Sequence, residues 1–259
     1  MEVHHPHHIP KKLKEYLTEF LMLFAAVTLG FLAENLREHQ IENNRAKEYL
    51  ELFRSEVVRN NNAIDSVLRF GIPVLQKNES LYFEMFSNEK ISNEYIADSL
   101  DLMVYRFSND KRIFELMKNS GSLRYIRDKK LIQLINTYES DADFAEFRTF
   151  DQETSAGKLF WDFLVRKMPT EFIIRWLNDK HFQYIMTLNP KYSMLYGKNS
   201  LAIDKKVREM KIDNEVKREL MNYILNKCTI QKLSISNLKN LMKKSEPLLK
   251  QIDQYLEHN

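Results

Sequence analysis

Four histidines crowd the first eight residues, His4, His5, His7 and His8, in the run MEVHHPHHIP. Neutral imidazoles are common ligands of transition metals, so this tail has donors for weak chelation. A closed site needs more, and apart from Glu2 the tail offers no acidic or thiolate ligand. Pro6 and Pro10 forbid a regular helix around them. Residues 1–12 therefore read as a flexible, weakly metal-binding tail, and no resident cofactor is expected.

The second group with chemical potential is Glu19, at the edge of the apolar stretch Phe20 to Ala33, FLMLFAAVTLGFLA. A carboxylate in such surroundings either binds a proton or ion or hides in a contact between helices. Glu19, Leu23, Ala26, Gly30 and Ala33 recur at alternating spacings of four and three, which places them on one helix face. Ala26 and Gly30 form a small-xxx-small pair that lets a second backbone approach closely. The face reads as a self-association or partner-docking seam.

Other chemistry is not visible. The chain has no phosphate-cradling glycine loop, no GxSxG elbow, no HExxH and no CxxC. His39 and His181 are isolated in sequence, Cys228 is the lone cysteine, and no carboxylate pair stands out among the many on helical surfaces. An enzyme is not expected.

The element that positions the seam is the apolar stretch itself. Tyr16 to Thr18 on one side and Asn35 with Leu36 on the other lengthen it to about twenty residues, ~30 Å of helix and close to a hydrocarbon core. Eight large apolar residues, each favouring insertion by roughly 0.3–0.6 kcal/mol, outweigh Thr28, Gly30 and the boundary glutamates. A cleaved signal peptide fits less well, because no small-residue cleavage pattern follows and the run passes straight into the charged helix ENLREHQIENNRAKEYL. A buried helix of a soluble bundle is the other competitor. Residues 13–36 are read as a single membrane span. Lys11, Lys12 and Lys14 precede its apolar stretch with little acid nearby, whereas Arg37, Arg45 and Lys47 beyond it are interleaved with Glu38, Glu42 and Glu48. That bias puts the tail in the cytoplasm and the bulk outside it.

Across 259 residues the formal net charge is +3, with 44% hydrophobic and 29% charged residues, which is no disordered composition. Signs are interspersed, so no nucleic-acid footprint is present. Only five glycines and six prolines argue for long helices and against a many-stranded β fold. Ala46, Leu50, Phe53, Val57, Ile64 and Leu68 carry a helical period past the span as a stalk over residues 37–70, ended by Gly71 and Pro73.

Residues 71–259 read as a helical bundle. Val74 to Phe86 forms a short helix, and Ser92 or Asn93 caps the next, with Ile96, Leu100, Met103 and Val104 as its stripe. Ser108, Asn109 or Asp110 caps a helix through Met117, and Gly121 takes a left-handed position after it. Asp128 starts a long helix that Phe144 to Trp161 continues or partners. Lys191 to Ser200 is the least periodic stretch and reads as a loop. From Lys205 the chain is helical, with a restart at Asp213 and a kink or split at Pro247.

The blocks KEYLTEFLMLFAAVTLGFLAENLREH, Lys14 to His39, and FELMKNSGSLRYIRDKKLIQLINTY, Phe114 to Tyr138, resemble those of a family of single-pass membrane proteins of Bacteroidota. The resemblance implies an N-terminal span and a helical soluble domain, and it transfers no activity or site residue. The expectation is an all-α protein of the bacterial inner membrane: one transmembrane helix, a long stalk helix and a periplasmic helical bundle. Its role is that of a structural or accessory subunit working through helix packing in a homo-oligomer or with a membrane-protein partner. Ion- or proton-coupled transport through Glu19, or a sensor or binding module in the bundle, are the alternatives.

Overall fold

Two long helices organise the chain. In the computed structural model, which describes residues 13–88, 90–177 and 190–258 (backbone alone at Lys14 and residues 190–199), α1 is Leu13–Ser87, 75 residues. At 1.5 Å per residue it is ~110 Å long. The last helix, α8 (Asn214–His258), has 45 residues and packs antiparallel along the second half of α1. Arg54 pairs with Asp253 at 2.6 Å, Asn61 donates to Ser245 at 2.8 Å, and Gln231 donates to the Gly71 carbonyl at 3.0 Å. Glu79 and Lys232 form an ion pair near the other end.

Between them lie α2 (Asn93–Ser99), α3 (Arg112–Asn119), a 3₁₀ turn (Ser122–Tyr125), α4 (Lys129–Phe147), a π turn (Arg148–Gln152), α5 (Glu153–Lys167), α6 (Thr170–Leu177) and α7 (Pro190–Glu209). All the regular structure among the described residues is helical. The core forms two clusters strung along the α1–α8 pair. One joins Leu50, Phe53, Val57 and Ile64 of α1 to Leu131, Ile135 and Tyr138 of α4 and to Leu238, Leu248 and Ile252 of α8. The other joins Leu75, Leu81 and Met85 to Ile96, Phe160, Phe163, Phe172, Trp176, Leu220 and Ile224.

Several sequence signals act as expected. Ser92 caps α2 by accepting from the Tyr95 amide, Asp128 caps α4 by accepting from the Lys130 and Leu131 amides, and Gly121 holds φ 70° just past α3. The aromatic-rich stretch from Phe144 continues α4 through the π turn into α5. Asp213 accepts from the Glu215 amide at 3.0 Å and starts α8.

Five expectations need correction. Gly71 and Pro73 do not end α1, because Val74, Leu75 and Leu81 beyond them are buried. Burying such side chains, at roughly 1.5–3 kcal/mol each, offsets the ~3 kcal/mol a mid-helix proline costs. Pro247 does not split α8, which runs through it. Helix α3 is not capped by Ser108, Asn109 or Asp110: its N-cap is Lys111, whose side chain makes no capping bond. The stretch from Lys191 to Ser200 is helical, as part of α7.

The fifth correction positions everything else. Helix α2 stops at Ser99, and residues 100–111 run as an irregular strap, so Met103 and Val104 do not extend a helical stripe. Two asparagines of α1 hold its ends by the same device. Asn78 donates to the Asp101 carbonyl at 2.7 Å and accepts from its amide at 3.0 Å, and Asn60 does both with Asp110 at 3.0 Å. The two asparagines are eighteen residues apart, ~27 Å of helix. The nine residues from Asp101 to Asp110 reach at most ~32 Å, so the strap must be nearly straight.

Candidate functional site

Two features stand out from ordinary core and surface: a set of buried polar side chains around the strap, and the N-terminal part of α1.

The buried polar set is explained by the strap's backbone, which has no helix or sheet to satisfy it. Besides the two asparagines, Trp176 Nε1 donates to the Leu100 carbonyl at 2.9 Å and Lys227 Nζ to the Met103 carbonyl at 3.2 Å. Thr149 of the π turn accepts from the Phe107 amide at 3.2 Å. Glu56 of α1 accepts from the Ile113 and Phe114 amides at 2.6 and 3.1 Å. It thereby supplies, from another helix, the cap that α3 lacks locally. Burial raises the Glu56 carboxyl above its ordinary range, against the lowering effect of those two amides.

At the lower end of the strap, Asn109 donates to Glu139 at 3.2 Å and to Asp143 at 3.0 Å, while Asn60 donates to Asn109 at 2.9 Å. Lys111 closes the corner on Asp143 at 2.9 Å. Glu139 is only 3% exposed, and burial pushes its carboxyl up to about 7. Higher up, burial lowers the Lys227 ammonium and raises the Glu153 carboxyl, to which Ser234 also bonds. These groups are held by backbone partners and by one another. They fasten the strap to the helices around it.

Cys228 is buried and its thiol is pushed up to about 11 by desolvation. It lines a cavity of about 110 Å³ with Glu79, Tyr82 and Phe83. His39 lies elsewhere, against Arg127 near the start of α4, so these two do not form a couple, and His181 lies outside the described residues. Among the described residues no group of three or more His, Cys, Asp and Glu could hold a metal ion. His4, His5, His7 and His8 lie outside the described residues. A depression of about 500 Å³ lined by Lys111, Asp143, Glu146, Phe147, Phe150 and Asp151 opens beside the π turn.

The N-terminal part of α1 is a different environment. From Leu13 to Arg45 no described side chain is buried, and the first core residue is Ala46. Val27 is 66% and Phe31 72% exposed. Phe20 and Phe24 stack on each other at 6.1 Å with nothing else of the core near them. The helix is long and apolar enough to cross a membrane, and none of its apolar window is buried in the chain itself. A soluble bundle helix would be at least half covered. Glu19, Leu23, Ala26, Gly30 and Ala33 all lie exposed on this segment, and a Cβ placed on Gly30 would meet no atom within 4 Å. The seam is thus open to a second helix along its length. Just past it, Glu34 and Arg37 form a two-pronged pair at 2.5 and 3.0 Å.

Sequence reasoning located the exposed segment and missed the strap's fasteners. A signal for them exists. Phe53, Val57, Asn60 and Ile64 follow one helical stripe, and Asn78 falls between Leu75 and Leu81 at spacings of three, so each asparagine occupies a place where an apolar residue belongs. A buried polar group needs a partner, and here the partner is unpaired backbone.

No family model, curated protein or solved structure matches the chain.

Proposed function

We propose that the protein is a single-pass membrane protein whose span, residues 13–36, is continuous with the central helix of a helical body. Its role is structural: an accessory subunit that joins copies of itself or a membrane-protein partner by helix packing. The observation that carries this is the bare apolar half of α1, whose other half is fully built into a core. Roughly 25 cal/mol per Å² of apolar surface favours covering such a segment, and a bilayer covers it without any change in the body. The flanking charges support a tail in the cytoplasm and a body in the periplasm of a bacterial inner membrane. The likeness of two blocks to a Bacteroidota membrane-protein family supports the same reading. The fastening role of the buried polar groups supports a non-enzymatic body.

The Ala26/Gly30 seam is the contact through which association runs. Substituting leucine at both positions fills the space a second backbone needs. In mild detergent the double variant is expected to run as a smaller species by light scattering, with helix content unchanged. Unaltered association would remove the seam from the account.

A further inference from the structure

With the apolar part of α1 across a membrane, a reading on which this inference rests, the height of the nearest body residues can be read along the helix. The span ends at Leu36. His39 is three residues on, ~4.5 Å along the axis, within the ~5–8 Å that headgroups occupy on each side of the hydrocarbon. Arg127 Nη2 lies 2.9 Å from His39 Nδ1, which sets the start of α4 at headgroup level. Glu38 and Glu42 both act on the Arg124 guanidinium, and Arg45 acts on the Tyr125 hydroxyl. The 3₁₀ turn therefore lies at a similar height. Helix α3 has its N-terminus capped by Glu56, seventeen residues past His39, and descends to Asn119 beside that turn.

The chain that reaches this level is strongly basic. From Lys118 to Lys130 it carries Lys118, Arg124, Arg127, Lys129 and Lys130 against Asp128 alone, five cations and one anion. The Asp128 carboxylate is committed inward: it caps α4 and accepts from Gln251 Nε2 at 2.8 Å. Arg124, Arg127, Lys129 and Lys130 are exposed. Glu38 and Glu42 offset part of this charge from α1, whereas Arg45 of the same helix adds to it, Arg37 being paired with Glu34.

We propose that this rim, Lys118 to Lys130, docks on anionic lipid headgroups beside the span and clamps the body to the membrane surface. Its sequence distance from the span conceals it, because the helix core alone brings it back to the level of residues 38–45. Each cation close to an anionic surface strengthens attachment about fivefold, and salt screens the effect.

The test uses the full chain with Asn119→Cys carrying a fluorophore. The thiol of Cys228 is buried and stays unlabelled. The protein is reconstituted in vesicles of phosphatidylcholine alone or mixed in equal parts with phosphatidylglycerol, each containing a headgroup-quencher lipid. The expected result is several-fold stronger quenching in the anionic vesicles, reversed by salt and abolished by R124Q/R127Q/K129Q/K130Q. Equal quenching in both lipids, or a quadruple variant that behaves like the parent, overturns the clamp while leaving the span standing. Protein that an alkaline wash strips from both vesicle types overturns the span, and the clamp with it.

Discussion

Replacing Glu56 by alanine is expected to destabilise the body by about 3 kcal/mol. Two part-buried amides at the start of α3 lose a charged acceptor, and hydrogen bonds to charged groups contribute roughly 1.5–3 kcal/mol each, less what the buried carboxylate costs in desolvation. The side chain is fully buried, so water cannot take its place without a rearrangement. Glu56→Gln keeps one acceptor and should lose about half as much. Chemical unfolding followed by circular dichroism reads both: the midpoint falls in that order with an unchanged slope. Equal stability of Glu56→Ala and the parent would mean that α3 caps itself, contrary to the geometry at Ile113 and Phe114.

The second large effect concerns pH. The Glu139 carboxyl titrates at about 7 in the folded chain against an ordinary value of 4.5. Between those pH values the folded state holds a proton that the unfolded state has released. Stability therefore falls as pH rises from about 4.5 to 7 and is lowest above that window. At 1.36 kcal/mol per unit, the loss reaches about 3 kcal/mol. Glu139→Gln fixes the neutral form, still able to accept from Asn109. The variant is expected to be more stable than the parent at pH 8 by up to that amount and to differ little at pH 4. Thermal melts across this range decide the matter. A variant less stable than the parent at pH 8 would show that the carboxylate is bound in its charged form through Asn109 and Lys111.

Both effects belong to the strap, and the strap is what the sequence conceals. The exposed apolar segment is legible because fourteen consecutive apolar or small residues, Phe20 to Ala33, need no partner to be recognised. The packed half of α1 is legible from the period of Ala46, Leu50, Phe53, Val57 and Ile64, all buried. Local caps at Ser92 and Asp128 are legible because cap and helix are neighbours in sequence. Met103 and Val104, however, continue the spacing of Ile96 and Leu100, and nothing local says the helix has stopped. The decision rests with Asn78, Trp176, Lys227 and Thr149, which reach the strap from 23 to 124 residues away. Pro73 fails as a stop signal for a related reason: a proline's local cost is smaller than the burial on both sides of it.

The face of small residues on α1 is legible in the same sense as the apolar segment, and no described residue of this chain covers it. Its significance depends on what covers the bare half of the helix.

The most direct measurement compares the full chain with one that begins at Glu42, four residues before the first core position Ala46. Membranes from cells producing each are washed with alkaline carbonate, and the fractions are assayed for protein and for a cooperative melt. The account predicts that the full chain stays with the membrane, whereas the shortened chain is released to the soluble fraction with the body's melting transition intact. A full chain recovered folded in the carbonate supernatant would contradict it, and would mean that another protein surface, rather than lipid, covers Phe20 to Ala33.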